Sequence, residues 1–149
     1  MRRALPWLLL ASACTSSVAT PAPPPAFCAS DPRVQAFQLG LQSACVGGLC
    51  RVRVVEATPA SVVQGLNDWT LVLEDPEGKP IDGATLSIKP TMPDHGHGSP
   101  TITQIAPLGG GRYRATGINL AMRGVWIVPV VASGPVNDQA SFILCIDGT

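Results

Sequence analysis

The sequence predicts an all-β protein, a small antiparallel β-sandwich carried behind an export signal and a proline-rich tether. Three observations point there. Charged residues make up only 13% of the 149 residues, while glycine and proline contribute 15 each. That composition disfavours long solvent-facing helices and suits short strands joined by turns. From Leu49 onward the apolar residues recur with a period of two, which puts alternate side chains on one face of a strand. Glycine and proline clusters then punctuate the chain about every 8–12 residues, the interval expected of a small sandwich.

The first residues read as a signal peptide over 1–13. Arg2 and Arg3 precede an apolar run from Leu5 to Leu10, and Ala11-Ser12-Ala13 stands directly before Cys14. The run is far short of the roughly 20 residues that span a bilayer. Two processing routes both cut before Cys14. Ala11-Ser12-Ala13 suits ordinary cleavage and free secretion, whereas LLLASAC resembles a bacterial lipobox, with Ala11 where leucine is more usual. The lipobox route is favoured, which makes Cys14 the lipidation site and a membrane a partner. Loss of Arg2 and Arg3 with the signal leaves eight basic against ten acidic residues. Neither a basic footprint for nucleic acid nor an acidic block is present. Residues 14–27 form the tether. Its Ser/Thr/Pro-rich part, TSSVATPAPPPA, buries too little apolar surface to offset the entropy of ordering it.

The folded domain is expected over 28–149. Residues 31–44 carry two signals: Asp31-Pro32 looks like a helix start, yet Phe37, Leu39 and Leu41 alternate as in a strand, and extended structure is favoured. Strands follow at LCRVRVVE, WTLVLED, ATLSIKP, TITQIAP, RYRATG, VWIVPVVA and QASFILCI. Arg51 and Arg53 alternate with Val52 and Val54 and need only solvent. Pro129 cannot donate to a ladder, so VWIVPVVA should carry a bulge or lie at an edge. Trp69, Tyr113, Trp126 and Phe142 are the large core candidates. Gly109-Gly110-Gly111-Arg112 lacks the ending of a phosphate loop and reads as a hairpin turn.

After export four cysteines remain, an even number in an oxidising compartment, which implies two disulfides with three pairings open. Gly47-Gly48 can turn the CVGGLC segment back on itself, favouring Cys45–Cys50 and therefore Cys28–Cys145. Phe142 and Leu144 share a face of the last strand, so Cys145 should point out of the sandwich, toward a segment such as that carrying Cys28.

Both histidines fall in MPDHGHG, residues 92–98. Imidazole offers a lone pair to copper, zinc or nickel at neutral pH, and a thioether favours Cu(I). His95 and His97 at i and i+2 project to one side if the loop is extended, or converge if Gly96 turns it. Met92 supplies a third donor and Met122, at a strand entry, a fourth; Asp94 is placed to hold an imidazole tautomer from behind the metal. The alternative is that the loop is a sharp structural bend and Met122 fills core space. Ser99 lies nearby, but no strained nucleophile turn or orienting acid is evident, so an enzyme is not expected.

The order N-D-W, D-P-E-G-K-P, M-P-D-H-G-H-G, G-R-Y, N-L-A-M-R-G-V-W resembles the YtkA-like (FixH-related) domain of bacterial envelope proteins over residues 51–146. Arg123 stands where many members of that family carry proline. The resemblance implies an immunoglobulin-like sandwich in the periplasm or at the outer surface. It also implies copper as the cofactor of Met92, His95, His97 and Met122, and a copper-accepting envelope protein as partner. The expected function is a non-catalytic domain that buffers or delivers copper. The alternative is a tethered structural or protein-interaction domain with no metal role.

Overall fold

A computed structural model describes Cys28 and residues 31–147; the expected signal peptide, the expected lipidation site Cys14 and the expected tether lie outside the described residues. Among the described residues ten strands form two antiparallel sheets packed face to face, the sandwich that the period-two pattern predicts. In the first sheet β1 (Gln42–Ala44), β2 (Arg51–Thr58), β3 (Gly65–Glu74), β8 (Arg112–Leu120) and β7 (Gln104–Gly109) lie side by side in that order. The second sheet runs β10 (Asp138–Ile146), β9 (Gly124–Ser133), β5 (Thr91–Met92) and β6 (His97–Gly98), with β4 (Thr85–Ile88) also pairing with β9.

Alternation decides which side chains meet between the sheets. Leu86 and Ile88 are buried while Thr85 and Ser87 are exposed, and Ala140, Phe142, Leu144 and Ile146 all face the core from β10. Trp69, Tyr113, Trp126 and Phe142 are all buried, as expected of one large residue per strand. Tyr113 also ties the sheets together at one corner, because its hydroxyl donates to the carbonyl of Ile81 and accepts from the amide of Ala84.

Residues 31–44 resolve as extended chain. The helix-start signal is spent on a single turn, in which Asp31 accepts the Arg33 amide at 2.9 Å. The segment is then captured by β10. The Gln35 amide donates to the Ile143 carbonyl at 2.8 Å, and the Gln35 side chain accepts the Ile143 amide at 2.9 Å. Phe37 stacks on Trp69 with ring centroids 5.5 Å apart. This strap covers an edge that would otherwise leave main-chain groups unpaired.

Both disulfides join the favoured partners, Cys45 with Cys50 and Cys28 with Cys145. Cys145 turns away from the main core, packing with Cys28, Val125, Val34 and Ile143 on the outer face of the second sheet.

Two expectations need correction. Pro129 sits neither at a bulge nor on an edge strand: β9 pairs without interruption with β10 from Gly124 to Ala132. The neighbour on its other side is what yields. β4 ends opposite Val130 and β5 begins opposite Ile127, so the missing donor of Pro129 faces the gap left by Lys89 and Pro90. Arg51 and Arg53 are not left to solvent either. Both reach Glu74, at 3.1 and 2.7 Å. Burial pushes the Glu74 carboxyl up, but Arg53 and Arg51 outweigh it and leave the group below the usual carboxylate range.

Candidate metal centre

The histidine loop is a narrow excursion between β5 and β6. Met92 pairs directly with His97, and Thr91 with Gly98. Between them Pro93–His95 makes a single 3-10 turn, closed when the Gly96 amide donates to the Met92 carbonyl at 3.0 Å. Gly96 has φ +64°, so the reversal falls on a residue without a Cβ to clash. Of the two loop shapes open to the sequence, the structure takes the one turned at Gly96.

This shape converges the imidazoles. The rings of His95 and His97 lie 5.8 Å apart, centroid to centroid, and both residues are exposed. A metal–imidazole bond of about 2 Å places two rings on one ion roughly 5–6 Å apart, so the spacing fits a shared ligand. His97 also meets the edge of Trp126, centroids 6.5 Å apart.

The two methionines separate. Met92 is 1% exposed and belongs to the core, beside His97 on the same face of the β5–β6 ladder. Its methyl group occupies the space left by Gly124, where an added Cβ would come within 2.7 Å of it. Met122 is 42% exposed, and its carbonyl accepts the Trp126 indole N–H at 2.9 Å. Trp126 therefore touches His97 with its ring and fixes the backbone of Met122 with its nitrogen. As the large residue of the VWIVPVVA strand it is a core candidate in the sequence; its role as the wall between the two loops needed the fold. Arg123 itself bonds Asp147 at 3.5 Å.

Asp94 is exposed and hydrogen-bonds neither imidazole, so the supporting contact expected of it is not made in this structure. Its charge acts instead on Arg33, which is held mainly by Asp31 at 2.6 Å. The Ser99 hydroxyl accepts the Thr101 amide at 3.3 Å.

A second donor cluster lies at the opposite end of the sandwich. Among the described residues, Cys45, Cys50 and Asp138 bring their donor atoms within 4.8 Å of one another. The sulfurs are bonded to each other, and Asp138 accepts the amides of Gly47 and Leu49 at 2.9 and 3.0 Å. With its sulfurs bonded to each other and its carboxylate holding two amides, this cluster acts as a structural clasp.

The family model described as YtkA-like matches residues 50–131, more than half of the 149 residues. The chain belongs to the YtkA-like family. The match runs from the start of β2 almost to the end of β9, so this YtkA-like region holds Met92, His95, His97 and Met122. The strap, the clasp's Cys45 and the whole of β10 lie outside it. Comparison with curated proteins and with solved structures found no match.

Proposed function

We propose that this YtkA-like protein is a non-catalytic domain of the bacterial cell envelope that binds copper and buffers it or passes it to an acceptor protein. The observation that supports this reading is the pair of exposed imidazoles 5.8 Å apart on a turn whose base is fixed in the core. Exposed donors suit a cargo that must be taken up and released. His95 and His97 would anchor the ion, with a thioether from Met122 at the rim or Met92 beneath, and soft sulfur beside imidazole favours Cu(I). Cys14, lipidated after signal removal, would tether the domain to a membrane.

The test is a copper titration of the purified protein under mild reducing conditions against a competing Cu(I) chelator. One-to-one binding that falls at least about 100-fold in the His95→Ala/His97→Ala double variant is expected, since second-site effects alone reach only about 10–100-fold. Competition that the double variant leaves unchanged would sink the reading. Met122→Leu and Met92→Leu, tested separately, then identify which sulfur contributes.

The burial of Met92 favours one other reading, a loop built only to close the end of the sandwich beneath His97. Under it the protein presents a rigid face to a partner and its melting temperature does not respond to copper. A metal site predicts a melting temperature that rises with copper concentration.

A further inference from the structure

The strap seals one side of the sandwich, where it pairs with β10, but the other side is open along β4. Among the described residues β4 pairs only with β9. The direction of its remaining main-chain groups follows from alternation. The carbonyls of Ile143 and Gln139 of β10 accept the amides of Gln35 in the strap and of Val46, so both residues face away from β9. Their partners in β9, Ile127 and Val131, therefore face away from β10, toward β5 and β4. Val131 is opposite Ser87, which uses the groups of Ser87 and leaves those of Leu86 and Ile88 pointing outward. The side chains of Leu86 and Ile88 are anchored in the core, so this short edge is rigid as well as unpaired.

A groove of about 400 Å³ runs beside that edge, with residues 99–103 as its far wall. Such a volume lies within the range of ligand sites and far above that of a trapped water. Ile102 stands in the wall 80% exposed, an unusual place for a large β-branched side chain. Thr103, also in the wall and only 9% exposed, has a hydroxyl with no partner.

We propose that this edge and groove dock one extended peptide segment of a partner protein, which adds as a strand beside β4. Unpaired main-chain donors and acceptors are matched best by another main chain, and alternate side chains of the incoming strand then fall against Ile102 and Pro100. A second copy of this domain fits less well, because its own 99–103 wall would come with its β4. Lys89 and Pro90 end the edge after Ile88, which limits pairing to a short segment. The groove also touches Thr91 and Gly98, the first pair of the hairpin that carries the histidines. The site nevertheless stands independently of any copper.

The test uses the purified protein and a fluorescein-labelled heptapeptide of alternating threonine and valine. Binding is expected to slow amide exchange at Leu86 and Ile88 roughly tenfold or more, as newly hydrogen-bonded amides do. The same peptide N-methylated at alternate residues should not bind, and Ile102→Asp, at an exposed position, should weaken binding while the protein stays folded. Unchanged exchange at both amides at millimolar peptide, or equal binding of the N-methylated peptide, overturns the proposal. So does protection of both amides without peptide that rises with protein concentration alongside dimer formation, since a second copy then owns the edge.

Discussion

The two ends of the sandwich each gather ligand-type side chains, yet only one end keeps their donor atoms available. At the CVGGLC clasp two sulfurs are consumed by the bond between them, and the carboxylate of Asp138 is consumed by the amides of Gly47 and Leu49. At MPDHGHG the imidazoles converge with their ring nitrogens largely uncommitted; His97 Nδ1 makes one contact, at 3.3 Å, with the Gly98 carbonyl. Proximity of ligand-type residues is therefore a poor guide to a metal site. What distinguishes the two ends is whether the donor atoms already have partners, and whether something else holds the loop in shape. The clasp needs its donors to stay folded. The histidine loop is shaped by Pro93, Gly96 and buried Met92 instead.

Substitutions can break this contrast. A large effect is expected at the base of the histidine loop, where Met92→Ala should cost about 2–5 kcal/mol by leaving a cavity under Gly124. Met92→Leu keeps the volume and should cost less than about 1.5 kcal/mol. Urea unfolding measures both, and equal losses would show that the sulfur itself, not its bulk, supports the loop.

At the clasp, Cys45→Ser/Cys50→Ser opens a covalent loop with a sequence separation of only 5 residues. Chain entropy predicts a cost of about 2 kcal/mol for so short a loop, against about 5 kcal/mol for opening the 117-residue separation of Cys28–Cys145. Denaturant midpoints of the two double variants check that order.

A smaller effect is expected from Asp138→Asn, and pH reveals it. The amides of Gly47 and Leu49 hold the Asp138 carboxyl below the usual carboxylate range. A depressed folded pKa stabilises the protein above the unfolded value and ceases to do so as pH falls through the folded value. The wild-type advantage over the variant should therefore be present at pH 7 and shrink below about pH 4. An advantage unchanged between pH 7 and pH 2 would mean that the carboxylate's charge does not hold the clasp.

The smallest change in stability is expected from His95→Ala/His97→Ala. Both side chains are exposed, so unfolding free energy should stay within about 0.5 kcal/mol of wild type. A loss comparable to that of Met92→Ala would place the imidazoles with the clasp, as parts of the fold.

Much of this molecule was legible in one dimension. The alternation of β4 and β10, the four large core residues, the closing of CVGGLC by Gly47-Gly48 and the outward direction of Cys145 all follow from local periodicity and backbone freedom. For His95 and His97 the sequence leaves an extended and a turned loop both open, and the structure takes the turn, with Pro93 at its start and Gly96 at its end. Long-range pairing is different. The sequence cannot say that β4 and β5 leave a gap opposite Pro129, that Glu74 gathers Arg51 and Arg53, or that Gln35 seals β10. Each depends on which strand lies beside which, a choice made by the whole core at once. The separation of Met92 from Met122 has the same origin. The two thioethers are alike in chemistry, and only the space under Gly124 decides that one is buried while the other stays within reach of solvent.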